Sequence, residues 1–232
     1  MFKIKFINTL LVLIAVTMLI TLAAPHVSAE NGDIEAIMNE VVFFGDSTTA
    51  HLAVRGGIPK ERVWSGYGST LLYTSVLERS VCIDGEMMSI FEAAKKFSPK
   101  ILVITIGASG GAGFLKERDF KQIYKKLLVG VKMSSPSTKI IVQSILPLSD
   151  KSVKYYKKLT KQSVATANVW IKEVCDELHV PYLNTHDLLI DKSGYLKAGF
   201  QNDEYLHLTS AAYNIILNNL KNYIFNNIDT FK

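Results

Sequence analysis

The run Ile101-Leu102-Val103-Ile104-Thr105-Ile106 constrains the fold of this chain more than any other stretch. It is apolar nearly throughout and shows no alternation, so a strand built from it must be covered on both faces. That is the condition of an inner strand in a parallel sheet. Residues 41–44 and 139–145 read the same way, and shorter strands are expected at 62–65 and 180–183. Between them lie helical stretches: a short one at 48–54, then 86–97, 119–133, 153–178 and 210–225. In the second, Met87, Ile90, Phe91, Ala94 and Phe97 share one side. Residues 30–40 read as a peripheral lead-in, 71–84 are ambiguous by period, and 184–206 read as irregular. Alternation of strand and helix implies an α/β fold, a parallel sheet with right-handed crossovers and helices on both faces. Such sheets bind ligands beyond the carboxyl ends of their strands. Three segments converge there: Asp46-Ser47, the glycine-dense loop 107–113, and the residues before the last helix.

The first 29 residues read as an export signal. Lys3 and Lys5 form a basic start, residues 10–22 an apolar run, and Val27-Ser28-Ala29 a small-residue cleavage site. The alternative is an uncleaved membrane anchor, since the apolar stretch 7–24 approaches the length of a span. Cys82 and Cys175 lie far from the cleavage site, which argues against a lipoprotein anchor. In an exported chain they would either pair or remain as buried thiols. Cleavage leaves 203 residues, enough for one domain, with 24 cationic against 21 acidic side chains and a net charge of +3. That balance suits simple solubility or residence near an anionic cell envelope. The lysines between 151 and 161 read as the solvated face of a helix start, and no basic run interleaved with aromatics indicates nucleic acid.

The chemistry centres on Phe44-Gly45-Asp46-Ser47-Thr48-Thr49. A serine between the end of a buried strand and the start of a helix is lifted clear of the sheet. The free N–H groups of the first helical turn can hold a developing negative charge there. A serine nucleophile needs a base within hydrogen-bond reach and a carboxylate to orient that base. After the leader the chain has His51, His179, His186 and His207. His51, four residues after Ser47, reads mainly as a surface or packing residue. His179 answers a helix dipole, and His186 beside Asp187 is uninformative. His207 stands in Asn202-Asp203-Glu204-Tyr205-Leu206-His207-Leu208-Thr209, just before a helix that Thr209 or Ser210 can cap. A tight turn there would bring either Glu204 or Asp203 to one imidazole nitrogen and leave the other for Ser47.

The glycines at 107, 110, 111 and 113 form neither a dinucleotide fingerprint nor a phosphate loop. No histidine pair or Cys-x-x-Cys suggests a metal, so no cofactor is expected. Tyr67, Tyr73, Tyr195 and Tyr205 read as packing residues or as walls of a sugar site.

The first block around Ser47 and the last block Leu206-His207-Leu208, in this order and at this separation, resemble the SGNH (GDSL) hydrolase family. Ile106-Gly107-Ala108-Ser109-Gly110 is similar to that family's third block. Trp64 with Gly68-Ser69-Thr70-Leu71, then Asn168-Val169-Trp170-Ile171 and Gly194-Tyr195-Leu196, look like a Gram-positive secreted branch. The resemblance implies a flavodoxin-like three-layer α/β/α sandwich and a serine esterase working through an acyl-serine. Its substrate would be a small ester, such as an O-acetyl group of a carbohydrate. It implies Ser47 as nucleophile, His207 as base, and Glu204, three residues before the histidine, as the acid, with Asp203 the rival. The oxyanion donors it implies are the Ser47 N–H, a backbone N–H at Gly68 and the side chain of Ser109. The family's asparagine is serine here. That departure leaves a second reading, a catalytically weak or inactive relative that binds carbohydrate or cell envelope.

Overall fold

A computed structural model describes residues 32–65, 69–203 and 206–231. The expected leader, residues 66–68, and Glu204 and Tyr205 lie outside the described residues. The centre is a parallel sheet in the order β2 (Val63–Ser65), β1 (Val41–Gly45), β5 (Ile101–Thr105), β6 (Lys139–Gln143), β7 (Tyr182–Leu183). β1 and β5 run in register from Val41 opposite Ile101 to Gly45 opposite Thr105. β5 is buried at every position, as its unbroken apolarity requires.

Period-two alternation divides the core into two layers. Phe44, Leu102, Ile104, Ile140 and Val142 face one way, onto α4 (Ile90–Phe97), α5 (Glu117–Ser134) and α6 (Lys161–Glu177). Val41, Phe43, Ile101, Val103 and Ile141 face the other, onto a helix at residues 32–39 (α1) and onto α8 (Ser210–Asn226). This is the three-layer α/β/α sandwich the resemblance implied. The strand order reverses between β1 and β5, and a crevice opens beyond their carboxyl ends at such a point.

The structure departs from the sequence reading in five places. Residues 32–39 are a core helix, not a lead-in, with Ile34 and Ile37 buried. The stretch read as a helix from residue 86 begins as a strand. β3 (Val81–Ile83) and β4 (Glu86–Met88) form an antiparallel hairpin, and α4 starts only after Ser89. There a capping box pairs Ser89 with Glu92. The short helix after Ser47 is two turns, α2 (Ser47–Ala50) and α3 (Leu52–Arg55), meeting at His51. The long helix expected over 153–178 is a 3₁₀ turn at Asp150–Lys154, an irregular link, and α6, which begins after the Thr160 cap. The lysines of that link therefore do not share a helix face. Lys154, Lys158 and Lys161 lie over the rings of Tyr155, Phe114 and Tyr195. Finally, the cysteines are both free, Cys175 buried and Cys82 exposed on the hairpin, so no disulfide joins them.

Gly45 ends β1 where the strand presses closest on its neighbours. A Cβ there would lie 2.1 Å from the Thr105 carbonyl oxygen and 2.1 Å from Thr49 Oγ1. The first belongs to the central strand and cannot move aside without breaking the β1–β5 register. Gly45→Ala is expected to cost about 3 kcal/mol, a fall of roughly 6–12 °C in Tm for a domain of this size. Thermal unfolding followed by circular dichroism checks it, and an unchanged midpoint would show that the strands separate freely.

Candidate active site

Asp46 follows β1 as the N-cap of α2. Its carboxylate accepts from the Thr48 N–H at 3.0 Å and the Thr48 hydroxyl at 2.8 Å. The Ser109 N–H also donates to it. Burial pushes the Asp46 carboxyl above the usual carboxylate range, against the pull of these donors and of His207. Asp46 is thus a structural pivot that joins the turn after β1 to the loop after β5. With Gly45, Asp46, Thr48 and Thr49 all buried, Ser47 alone in this turn is exposed. As the first residue of α2 its N–H has no partner within the helix.

The loop after β5 is held tightly. The Ser109 carbonyl accepts from the Thr70 hydroxyl at 2.7 Å and the Leu71 N–H at 3.2 Å. With its N–H on Asp46, the Ser109 backbone is committed at both ends, and the residue is exposed. Gly110 has φ +65°, and a Cβ there would fall 1.9 Å from Thr70 Oγ1, so the loop packs closely on the segment after β2. Gly68, the other expected oxyanion donor, lies outside the described residues. Asn168 on α6 clamps the backbone beyond β6, accepting from the Ile145 N–H at 2.7 Å and donating to its carbonyl at 3.1 Å. Its place in the resemblance is therefore structural.

His207 reaches the site on a hairpin. Gln201 pairs with Leu208, and the Asn202 N–H donates to the His207 carbonyl at 2.9 Å. This closes the turn so that Asp203 faces His207. The Asp203 carboxylate contacts His207 Nδ1 and accepts from the His207 N–H at 3.3 Å. The expected acid was Glu204; the carboxylate found on the imidazole is Asp203, four residues before it instead of three. The hairpin register sets Asn202 across from His207, and Asp203, the next residue into the turn, brings its carboxylate to the imidazole. Nδ1 carries its proton towards the carboxylate, so Nε2 has its lone pair free. Nε2 stands 3.4 Å from Ser47 Oγ, the outer edge of a hydrogen bond, as is common before substrate is bound. α8 steadies the pair from below, where the buried Tyr213 hydroxyl donates to the Thr48 carbonyl at 2.6 Å.

Two residues of the site escaped the sequence reading. His51, read as surface or packing, stacks on His207 with ring centroids 3.9 Å apart, and Arg55 bonds His51 at 2.6 Å. The one available signal was the spacing of four from Ser47, which sets both on one side of a helical turn. His179 and His186 are elsewhere: the first ends α6 at φ +51°, the second is buried at the start of α7 (His186–Leu189). No group of three or more His, Cys, Asp or Glu among the described residues is placed to hold a metal.

Serine, imidazole and carboxylate in line, at the reversal of strand order, are what acyl transfer needs: a nucleophile, a proton acceptor and a group that sets its tautomer. The family model described as GDSL-like lipase/acylhydrolase matches residues 43–215. A search of curated proteins finds no match. Among solved structures, a GDSL-like lipase from Bacteroides thetaiotaomicron superposes with a TM-score of 0.56 at 18% identity, over 79% of this chain and 86% of that one. A carbohydrate esterase family 3 protein from Talaromyces cellulolyticus gives 0.54 at 13% identity, over 82% and 98%. The periplasmic domain of a lipopolysaccharide acetyltransferase from Salmonella ser. Paratyphi A gives 0.52 at 16%, over 80% and 83%. At these identities the likeness is one of fold.

Proposed function

This chain belongs to the GDSL-like lipase/acylhydrolase family, and from that premise we propose that it is a serine esterase with Ser47 as nucleophile, His207 as base and Asp203 as the orienting acid. The single observation that carries this reading is the line Ser47 Oγ–His207 Nε2–Asp203, drawn from two ends of the chain. In the forward step His207 Nε2 takes the Ser47 hydroxyl proton as Oγ attacks the ester carbonyl carbon. The oxyanion is met by the Ser47 N–H, the Ser109 hydroxyl and a backbone N–H at Gly68. The imidazolium then passes its proton to the departing alkoxide, leaving an acyl-serine. Water, deprotonated by the same nitrogen, releases the acid and restores the serine. Asp203 stays ionised throughout.

We further read the substrate as a small ester on a hydroxyl-rich alcohol, an O-acetyl group of a carbohydrate. Ser47 is open to solvent instead of lying in an apolar tunnel. A cavity of about 450 Å³ adjoins Asp203, with Asp150, Asp191, Tyr195, Gln201 and Asn202 in its wall. Such a lining suits sugar hydroxyls better than an acyl chain. The carbohydrate esterase and lipopolysaccharide acetyltransferase of like fold point the same way. The apolar run 10–22 and the site ending at Ala29 support export with removal of residues 1–29.

A fluorophosphonate that labels active serines tests the core of this. Stoichiometric labelling mapped to the peptide holding Ser47, together with acetate release from p-nitrophenyl acetate and from acetylated polysaccharide, is the expected result. Labelling nowhere and release no faster than the blank would sink the esterase reading. Release from p-nitrophenyl acetate alone would remove the carbohydrate part. For export, the protein recovered from the medium should begin at Glu30; an uncut chain in the membrane fraction would favour the anchor.

A further inference from the structure

The contact between His51 and His207 has no place in the proposed proton path, yet it is the closest ring contact of the site. The rings lie 3.9 Å apart and within 26° of parallel. His51 occupies the joint between α2 and α3, and the turn carries its ring back over the active-site imidazole. Its other neighbour determines its state. Arg55 aims Nη1 at His51 Nδ1 across 2.6 Å. A guanidinium can only donate, so Nδ1 accepts with its lone pair, the ring proton sits on Nε2, and the ring is neutral. Burial, His207 and Arg55 all push the His51 imidazole below its ordinary range, with Asp203 alone opposing them.

We propose that His51 is a positioning residue: a neutral ring, kept so by Arg55, that holds the His207 imidazole in line with Asp203 and Ser47 and faces the positive charge that forms on it. This rests on His207 being the base. One bond to Asp203 leaves an imidazole free to swing about that bond; a second ring stacked on its face removes the freedom. The face of a neutral ring also attracts a cation, whereas a protonated His51 at the same distance would repel it. Among the described residues, the other charged or titratable groups around the pair are Asp203 on the hairpin, Asp46 at the end of β1, Arg55 on α3 and Tyr213 on α8, whose hydroxyl burial pushes above its usual range. Of the groups on its own element, only Arg55 touches His51.

Nitrogen-15 spectra of the full chain labelled at histidine test the state directly, with His51→Phe to assign the signals. The expected result is a His51 Nδ1 that stays unprotonated through about pH 6.5, where an ordinary histidine is half protonated, and that titrates in Arg55→Met. A His51 that titrates near that pH in the unaltered protein would overturn the proposal. In kinetics, His51→Ala is expected to lower kcat about 10- to 100-fold through loss of alignment, with KM little changed. His51→Phe, which restores a ring face without ring nitrogens, should recover most of it. Arg55→Met should move the acid limb of kcat/KM to higher pH, because His51 can then take up a proton beside the base and a repelling cation has gone. Equal kcat for His51→Ala and the unaltered protein, or equal losses for the alanine and phenylalanine variants, would overturn the platform. An active Ser47→Ala would instead remove the esterase mechanism itself, so the two failures are distinct.

Discussion

Ser47→Ala is expected to lower kcat for ester hydrolysis by roughly 10⁶-fold, the scale found when the serine of a comparable triad is removed. The whole covalent route passes through this oxygen, and among the described residues Ser47 is the hydroxyl that meets His207 Nε2. The fold should not notice the change. Ser47 is exposed, its side-chain hydrogen bond among the described residues is the 3.4 Å approach to His207, and a surface substitution of this kind shifts stability by no more than about 0.5 kcal/mol. An inactive variant with an unchanged Tm is therefore the expected pair of results. Single-turnover release of p-nitrophenol, compared with the uncatalysed rate, has the range to measure it. Retention of a tenth or more of the activity would show that the nucleophile lies elsewhere.

The second large effect separates two neighbouring carboxylates. Asp203→Asn is expected to lower kcat by about 10⁴-fold, as when the triad acid is neutralised with its shape kept. The amide can donate to Nδ1, which would put the imidazole proton on Nε2, facing Ser47. The base is then in the wrong tautomer, although the hairpin is intact. Glu204→Gln should leave kcat within about 3-fold, because with Asp203 as the orienting acid the proposed mechanism makes no use of its charge. Measured side by side on one ester, the two variants decide the assignment. A larger loss for Glu204→Gln would restore the register expected from the resemblance and remove Asp203 from the mechanism.

How much of this was legible in the sequence follows from where each signal resides. The inner strands were readable because burial on both faces leaves an unbroken apolar run, as at 101–106. The β3–β4 hairpin was not. Glu86 and Met87 are exposed, and Met87 falls at helical spacing with Ile90, Phe91, Ala94 and Phe97, so a short exposed strand merged with the helix behind it. The pairing of Ser89 with Glu92 marked the true start of α4, as Thr160 marked that of α6. The irregular link before α6 was hidden for a different reason. Lysines and tyrosines between 151 and 161 are compatible with a helix; in the folded chain Lys158 lies over the Phe114 ring and α6 begins only at Lys161, after the Thr160 cap.

The site divides along the same line. Ser47 was identifiable from its place between a buried strand and a helix start, whereas for His207 the neighbouring carboxylates only suggested a base and the paired first and last blocks of the resemblance singled it out. The sequence also determined the layer architecture, since period and apolarity decide which faces must be covered. Tertiary structure alone decided the rest. Asp203 and Glu204 are adjacent and chemically alike; the contact of the Asp203 carboxylate with His207 exists only once the turn between Gln201 and Leu208 is closed. His51 gains its role only when the hairpin from the far end of the chain lays a second ring over it, and Arg55 its role only because that ring needs to stay neutral. Local sequence sets which groups a chain presents. Their partners, and so their charge and orientation, depend on distances that exist only once β1, β5 and the closing hairpin are packed together.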